Sequence, residues 1–170
     1  GGTHLPDMTV VSPVYLDTHP DHGAPDFFVA SRAHHADIGG ITPGSMPAFS
    51  RNINEEGALF EDFHLLARGL RDTAGLTRQL TAPPWPARNL AQNLADLDAQ
   101  LAANACGARE LQRAARRYGG PLLAAAMRAV QDNAAECVRH AIQRLHSGDF
   151  RLPLDNGAVI QVREADAASG

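Results

Sequence analysis

The sequence predicts an α+β fold, in which a strand-and-loop N-terminal part packs with a C-terminal part of about three helices. Two observations support this class. β-branched and aromatic stretches near the N-terminus indicate strands, and leucines at helical spacing after residue 86 indicate helices. The expected parts are residues 1–80, the helical residues 81–147, and a short strand with a frayed tail over 148–170. A chain of 170 residues can bury one core, so a single domain is expected.

Two strands are predicted in the N-terminal part, joined by a polar connection. Residues 8–16 are rich in β-branched and aromatic side chains, and Pro13 marks an edge strand or its end. Pro, Gly, Asp and His dominate the connection over 17–26, and residues 27–31 form the second predicted strand. Three glycines and a proline make residues 39–46 a loop.

The middle of the chain gives a weaker pattern. The apolar residues of 58–69 fit neither period, so extended structure is expected around 63–66. A short helix should follow from Asp72, whose side chain can cap its first turn. Near the C-terminus, the β-branched run 159–162 is expected to form a last strand.

Two longer helices are predicted after residue 86. The first should begin near Pro86 or Ala87 and end or kink at Gly107. A glycine pair then stops the pattern, and the next helix begins at Pro121, with Cys137 on its apolar side. The apolar stripe of the first helix consists of Leu90, Leu94, Leu97 and Leu101.

Composition excludes several kinds of function. The net charge of −4 argues against nucleic acid or an anionic membrane as the main partner. All 15 basic residues are arginine, which excludes a phosphate-loop lysine, a Schiff-base lysine and a lysine general base. No apolar run approaches a membrane span and no secretory leader is recognised, which favours a cytoplasmic protein. Cys106 and Cys137 are expected to be reduced thiols in the core.

A repeated His-x-x-Asp motif is the main chemical signal. It occurs at His4 and Asp7, and again at His34 and Asp37, each time beside a predicted strand. If those strands pair, the motifs converge, and two imidazoles with a carboxylate suit divalent manganese, iron or zinc. His4, Asp7 and His34 are the expected ligands, with Asp37 as a fourth ligand or as the group that orients an imidazole. The alternative is that these histidines only form hydrogen bonds within their loops.

The other N-terminal histidines are weaker candidates. His35 should point away from His34 if the segment stays extended, because neighbouring side chains alternate. His19 and His22 lie in the polar connection and are expected to be solvated.

Catalytic groups other than the metal ligands are expected close to the second motif. The candidates are Asp37, His35, Glu55 and Glu56, the last two serving as a general base or as a substrate clamp. The alternative for the glutamates is a turn with solvated carboxylates. The glycine-rich loop 39–45 either presents backbone N–H groups to an anion or lets two backbone segments approach closely.

A polar row beside the leucine stripe is the candidate substrate surface. Such a row lines a cleft in some proteins and is a solvated helix flank in others, and Arg88 at its start can bind a carboxylate. The candidate substrate-binding residues are Arg88, Asn89, Asn93 and Asp96, and Gln100 continues the row.

Several of these motifs together resemble the hydantoinase B/oxoprolinase family. The resemblance covers residues 1 to about 145, in the family's order, and is looser after Phe150. Because chains of that family are several times longer, this sequence is expected to be an internal segment of a longer protein. The matching stretches are 1–7 (GGTHLPD), 28–40 (FVASRAHHADIGG), 42–47 (TPGSMP), 54–57 (NEEG), 88–89 (RN) and 93–97 (NLADL).

The resemblance implies ATP-dependent opening of a cyclic amide such as 5-oxoproline or a hydantoin. It implies that a companion subunit or domain of the hydantoinase A type binds the ATP, so that a hetero-oligomer is expected. Related ketone carboxylases carry a divalent metal on the equivalent part, and their ligand pattern falls on His4, Asp7 and His34. Their pattern does not extend to His35. The alternatives are a part of a ketone carboxylase, or a scaffold that binds the companion without catalysis.

Overall fold

The computed structural model describes residues 4–16, 23–146 and 148–164. These residues form small antiparallel hairpins and helices, which confirms the predicted α+β class. The chain divides into two compact units, Gly1–Ala115 and Arg116–Gly170. The strands and α-helices in order are β1 (Asp7–Val14), β2 (Phe27–His34), β3 (Leu66–Ala67), β4 (Leu70–Arg71), α1 (Thr73–Thr81), α2 (Leu90–Tyr118), α3 (Gly120–Ile142), β5 (Gly148–Pro153) and β6 (Val159–Glu164). Two short 3₁₀ helices, Pro43–Ser45 and Ile53–Glu55, lie between β2 and β3.

The two predicted N-terminal strands pair with each other, which is the condition under which the two motifs were expected to converge. β1 and β2 are antiparallel, and their register places Asp7 opposite His34 at one end and Val14 opposite Phe27 at the other. Side chains alternate between a covered face, with Met8 buried, and an open face, which leaves much of Val11 in solvent. The hairpin therefore has one packed side and one side accessible to small molecules.

Helix α2 covers the packed side of this hairpin. From its leucine stripe, Leu97 joins Met8, Ile38, Leu76 and Leu80 in the core, and the partly buried Leu90 and Leu94 pack against that core. These apolar contacts provide most of the driving force that holds the helix against strands and loops.

The start and course of α2 differ from the prediction. The helix begins at Leu90, and the Asn89 side chain accepts a hydrogen bond from Gln92 N at 3.1 Å, so Asn89 caps the first turn. The helix continues through Gly107, where an end or kink was expected. A Cβ atom there would lie 3.3 Å from Val29 Cγ1, so this glycine allows close approach of helix and strand.

Amide side chains of α2 also hold β1 through its backbone. Asn104 Nδ2 donates to Val10 O and to Ser12 Oγ, both at 3.0 Å. Further along, Gln112 Nε2 donates to Tyr15 O at 3.2 Å. These bonds satisfy strand carbonyl groups that the helix would otherwise cover without a donor.

The short helix α1 confirms its predicted cap. Asp72 accepts a hydrogen bond from Gly75 N at 2.8 Å and so satisfies a free N–H group of the first turn. The extended structure expected around 63–66 is limited to the two-residue strands of the β3–β4 hairpin, which begin at Leu66.

The second unit contains the whole of α3 and the β5–β6 hairpin. Gly119, with φ 86°, separates α2 from α3, and Pro121 lies in the first turn as predicted. The prediction of buried thiols is wrong, because Cys106 and Cys137 are both exposed. The predicted helix is present as α3, but no described residue of this helix is buried, so its apolar stripe does not bury Cys137. The predicted last strand is present as β6, and its partner β5 was not expected.

Among the described residues, no helix combines the length and apolarity needed to cross a membrane. The predictions for His19, His22 and the tail 165–170 concern positions outside the described residues.

Candidate metal centre

A tight turn brings His4 and Asp7 to the end of the β1–β2 hairpin. Asp7 N donates to His4 O at 3.1 Å, which closes the turn. The carbonyl oxygen of Pro6, a fully buried residue, accepts from Met8 N and from His35 N, each at 2.9 Å. The turn is therefore bonded to the start of β1 and to the residue that directly follows β2.

Three side chains meet at this end of the hairpin. Asp7 and His34 are direct cross-strand partners, with Asp7 Oδ1 and His34 Nδ1 3.0 Å apart. The His4 ring stacks on the His34 ring, with centroids 5.0 Å apart and planes inclined by 28°. Pairing of the strands thus brings His34 of the second motif to His4 and Asp7 of the first, as the sequence predicted, whereas Asp37 is not part of this cluster.

The donor atoms fit a divalent ion. One ligand atom from each of His4, Asp7 and His34 can be chosen so that all three lie within 4.8 Å of one another. His4 Nε2 is buried and has no hydrogen-bond partner, which is costly unless something else binds it. Two imidazole nitrogens and one carboxylate are a donor set suited to manganese, iron or zinc. The structure brings the three predicted ligands together, and metal binding itself stays a prediction.

His35 lies on the opposite face of the strand, as predicted from alternation. Its side chain is fully buried, and its Nε2 is 3.1 Å from Gln100 Oε1 on α2. Its Nδ1 lies 3.9 Å from Asp96 Oδ2 and has no hydrogen-bond partner. The structure does not bring this side chain to the three metal donors, and a catalytic role for it stays a prediction.

Asp37 anchors the glycine-rich loop. Its carboxylate accepts from Gly39 N and Gly44 N at 2.9 Å each, and from Arg88 through both backbone and guanidinium. Burial works to raise the pKa of Asp37, but these hydrogen bonds outweigh it and hold the pKa below its usual value. Asp37 is not in the donor cluster around His34, and its bonds support the loop that follows.

The loop 39–45 uses its N–H groups within the protein. Gly40 N donates to Trp85 O at 3.0 Å, and Ile41 N donates to Glu55 O at 2.8 Å. A Cβ atom on Gly40, which has φ 93°, would lie 2.8 Å from Glu55 O. These contacts favour close backbone packing over the anion-binding alternative.

Both candidate glutamates bind their own loop. Glu55 accepts from Arg51 N at 2.8 Å and from Asn52 Nδ2 at 2.9 Å. Glu56 accepts from Ser50 Oγ at 2.7 Å. Neither belongs to the donor cluster, so a general-base role for Glu55 or Glu56 stays a prediction.

Arg88 forms hydrogen bonds with Asp37 and with the glycine-rich loop 39–45. Its Nη1 donates to Asp37 Oδ2 and its Nη2 to Gly40 O, both at 2.8 Å. The Arg88 side chain is 40% exposed, so it retains access to solvent while it holds the loop.

The remaining candidate substrate residues bond mainly to protein. Asn89 caps α2, and the buried Asn93 donates to Asp37 O at 2.9 Å. Asp96 accepts from Gln92 Nε2 at 2.7 Å. The buried residues of the polar row, Asn93 and Gln100, therefore face the protein rather than solvent. A substrate contact by Arg88 or by this row stays a prediction.

Two residues near the site had no predicted role. Gln100 belongs to the polar row, but nothing in the spacing indicated that its Nε2 donates to Met8 O on β1 and to Ser31 O on β2. Arg32 lies on the open face with His34, two positions earlier, and its Nε donates to Thr9 Oγ1 at 2.9 Å. Strand alternation could have identified Arg32, because residues 32 and 34 share one face.

Two curated relatives of this chain are 5-oxoprolinases, which fits the family that its motifs resemble. 5-Oxoprolinase 1 of Arabidopsis thaliana is 42% identical over 151 residues, which are 84% of this chain and 12% of the relative. The 5-oxoprolinase of Dictyostelium discoideum is 42% identical over 155 residues, 91% of this chain and again 12% of the relative. The chain thus spans about an eighth of the length of these curated relatives.

A solved structure shares the fold. The crystal structure of the ATP-dependent caprolactamase from Pseudomonas jessenii matches with a TM-score of 0.75 and 24% identity, over 97% of this chain and 29% of that chain. The family model for hydantoinase B/oxoprolinase matches residues 1–166. The chain therefore belongs to the hydantoinase B/oxoprolinase family.

Proposed function

We propose that this chain is the metal-bearing catalytic segment of an ATP-dependent cyclic amide hydrolase that opens a ring such as 5-oxoproline or a hydantoin. The observation that carries the proposal is the convergence of His4, Asp7 and His34 around a buried His4 Nε2 that has no protein partner. The reaction class comes from relatives named 5-oxoprolinase, which match most of this chain.

The arrangement suits a small substrate. His4, Asp7 and His34 would hold the ion, and His34, which is 54% exposed, leaves the centre open on the uncovered face of the hairpin. A divalent ion bound there supplies Lewis acidity for a carbonyl group or for water. The buried turn around Pro6 keeps His4 and Asp7 at fixed positions, so little ordering is needed when the ion binds.

The ATP site belongs, in this proposal, to a hydantoinase A-type companion in a hetero-oligomer. The chain has no lysine to contact phosphates in the manner of a phosphate loop. The N–H groups of Gly39, Gly40 and Ile41 already donate to protein acceptors, which also favours a nucleotide site elsewhere.

Elemental analysis tests the metal. We expect near-stoichiometric manganese, iron or zinc in the purified parent, and loss of that metal in the His4→Ala/His34→Ala double variant. His64→Ala removes an exposed histidine outside the cluster and serves as the control. A parent without metal would contradict the metal-dependent role.

An activity measurement tests the reaction class. The metal-loaded chain, combined with a hydantoinase A-type companion and ATP, should open 5-oxoproline or a hydantoin, and the double variant should not. Equal activity of the parent and the double variant would exclude His4 and His34 from the mechanism.

A non-catalytic interface is the second candidate, favoured by the apolar face of the β5–β6 hairpin. The register places Phe150 opposite Val162 and Leu152 opposite Ile160, so all four share one face, and all are exposed. An exposed apolar face of this kind marks interaction sites. If it binds the companion, Phe150→Asp should weaken the complex and leave metal content unchanged, whereas Arg151→Asp on the other face should not.

A further inference from the structure

We propose that Gln100 is a positioning residue for the metal centre, because its side-chain amide ties together the two strand ends that carry Asp7 and His34. The inference rests on the proposed metal function. It concerns a residue that contacts none of the three donors and acts through the backbone beside them.

One nitrogen of Gln100 bonds to both strands. Nε2 donates to Met8 O on β1 and to Ser31 O on β2, each at 3.1 Å. Met8 directly follows Asp7, and Ser31 lies three residues before His34. In addition, Ser31 Oγ donates to Gln100 O at 3.3 Å. Gln100 is only 5% exposed, so water cannot replace these protein partners of its amide.

The other end of the amide holds His35. Since the two carbonyl groups require the N–H donors of Gln100, the amide oxygen must face His35, and the 3.1 Å contact makes His35 Nε2 the donor. The backbone N–H of His35 donates to Pro6 O in the turn between His4 and Asp7. Fixing His35 on the helix side therefore fixes His34 on the opposite side and ties it to the turn.

A merely structural amide would behave differently, and α2 offers one for comparison. Asn104 is 3% exposed and donates to Val10 O and Ser12 Oγ at 3.0 Å, so it is as buried as Gln100 and likewise donates two hydrogen bonds. Both hydrogen bonds reach β1, at Val10 and Ser12, and neither of these residues is next to Asp7 or His34 in the sequence. Loss of the Asn104 bonds should lower stability without moving His34 relative to Asp7.

The experiment compares Gln100→Met with Asn104→Leu, which remove the amides and keep most of the volume. Manganese affinity is measured from the electron paramagnetic resonance signal of free Mn²⁺, and the free energy of unfolding is measured on metal-free protein. Changes to groups that orient metal ligands typically weaken binding 10–100-fold. We expect Gln100→Met to weaken manganese binding by about tenfold, at the lower end of that range, and Asn104→Leu to leave it near the parent value.

Equal manganese affinity of Gln100→Met and parent would overturn the inference, as would an equal loss in Asn104→Leu. Should Gln100→Met not fold, Gln100→Glu replaces it. Glutamate still accepts from His35 but cannot donate to Met8 O or Ser31 O, so weaker manganese binding is again expected and unchanged binding would overturn the inference. A parent that binds no manganese would instead contradict the metal function on which the inference rests.

Discussion

Asp7 and His34 face each other across the β1–β2 ladder, and Asp7 Oδ1 lies 3.0 Å from His34 Nδ1. The two residues are 27 positions apart in the chain, so only strand pairing brings them together. Antiparallel register thus determines the chemistry at this end of the hairpin. A shift of register by one residue would turn His34 to the helix side and separate it from Asp7.

Replacement of His34 by alanine should remove the metal and leave the fold intact. The side chain is 54% exposed, and surface substitutions usually change stability by no more than about 0.5 kcal/mol. Elemental analysis and urea denaturation of the variant and the parent measure both effects. Full metal content in His34→Ala would remove His34 from the ligand set.

The neighbouring substitution His35→Ala should, unlike His34→Ala, lower the free energy of unfolding strongly. His35 is fully buried, and its loss opens a cavity and leaves Gln100 Oε1 without a donor. We expect the free energy of unfolding to fall by about 2–4 kcal/mol, as for other large-to-small changes that also orphan a polar group. A loss in urea denaturation no larger than that of His34→Ala would contradict this assignment of the two faces.

How much of this was predictable depends on which pattern each residue belongs to. Strand alternation placed His34 and His35 on opposite faces, because neighbouring side chains of a strand alternate with a period of two. The pairing of the two strands could only be assumed, since alternation does not specify a strand's partner. The cap at Asp72 was predicted because a cap is a local feature of a few residues.

Other features depend on contacts distant in the chain. A glycine such as Gly107 is typical of a helix end in a sequence. The reason for a glycine inside α2 is the close approach of the Val29 side chain, which only the structure shows. Gln100 lies beside the leucine stripe, where a solvent-exposed amide would give the same sequence pattern. Its hydrogen bonds to two strands could therefore not be inferred from the sequence. For Cys137, periodicity identified the apolar side of α3 but could not show whether anything covers it.

Replacement of Asp37 by asparagine should destabilise the chain in a pH-dependent way. The folded state holds the pKa of Asp37 below its usual value, so its contribution is complete above the unfolded pKa of about 3.9 and is lost as pH falls through the lower folded value. Hydrogen bonds to charged groups contribute about 1.5–3 kcal/mol, and we expect Asp37→Asn to cost about that much at pH 7.

The measurement is urea denaturation of Asp37→Asn and parent at a series of pH values from neutral to acid. The difference between them should narrow below about pH 4. Glu110→Gln is the control, because Glu110 is 61% exposed and pairs with Arg113 at the surface, where such pairs contribute little. A difference that does not change with pH would contradict the role given to the Asp37 charge.

Gly40→Ala should be more damaging than Gly44→Ala, although both glycines have positive φ, 93° and 80°. Left-handed backbone costs an alanine about 1–2 kcal/mol at either position. At Gly40 the new methyl group would also lie 2.8 Å from Glu55 O and from Glu56 C, whereas at Gly44 the nearest atom is Ala36 O at 3.9 Å. Gly44→Ala should therefore lose about 1–2 kcal/mol of unfolding free energy, and Gly40→Ala at least about 3 kcal/mol. Equal losses in urea denaturation would show that loop 39–45 can move away from Glu55, and that close packing is not what requires Gly40.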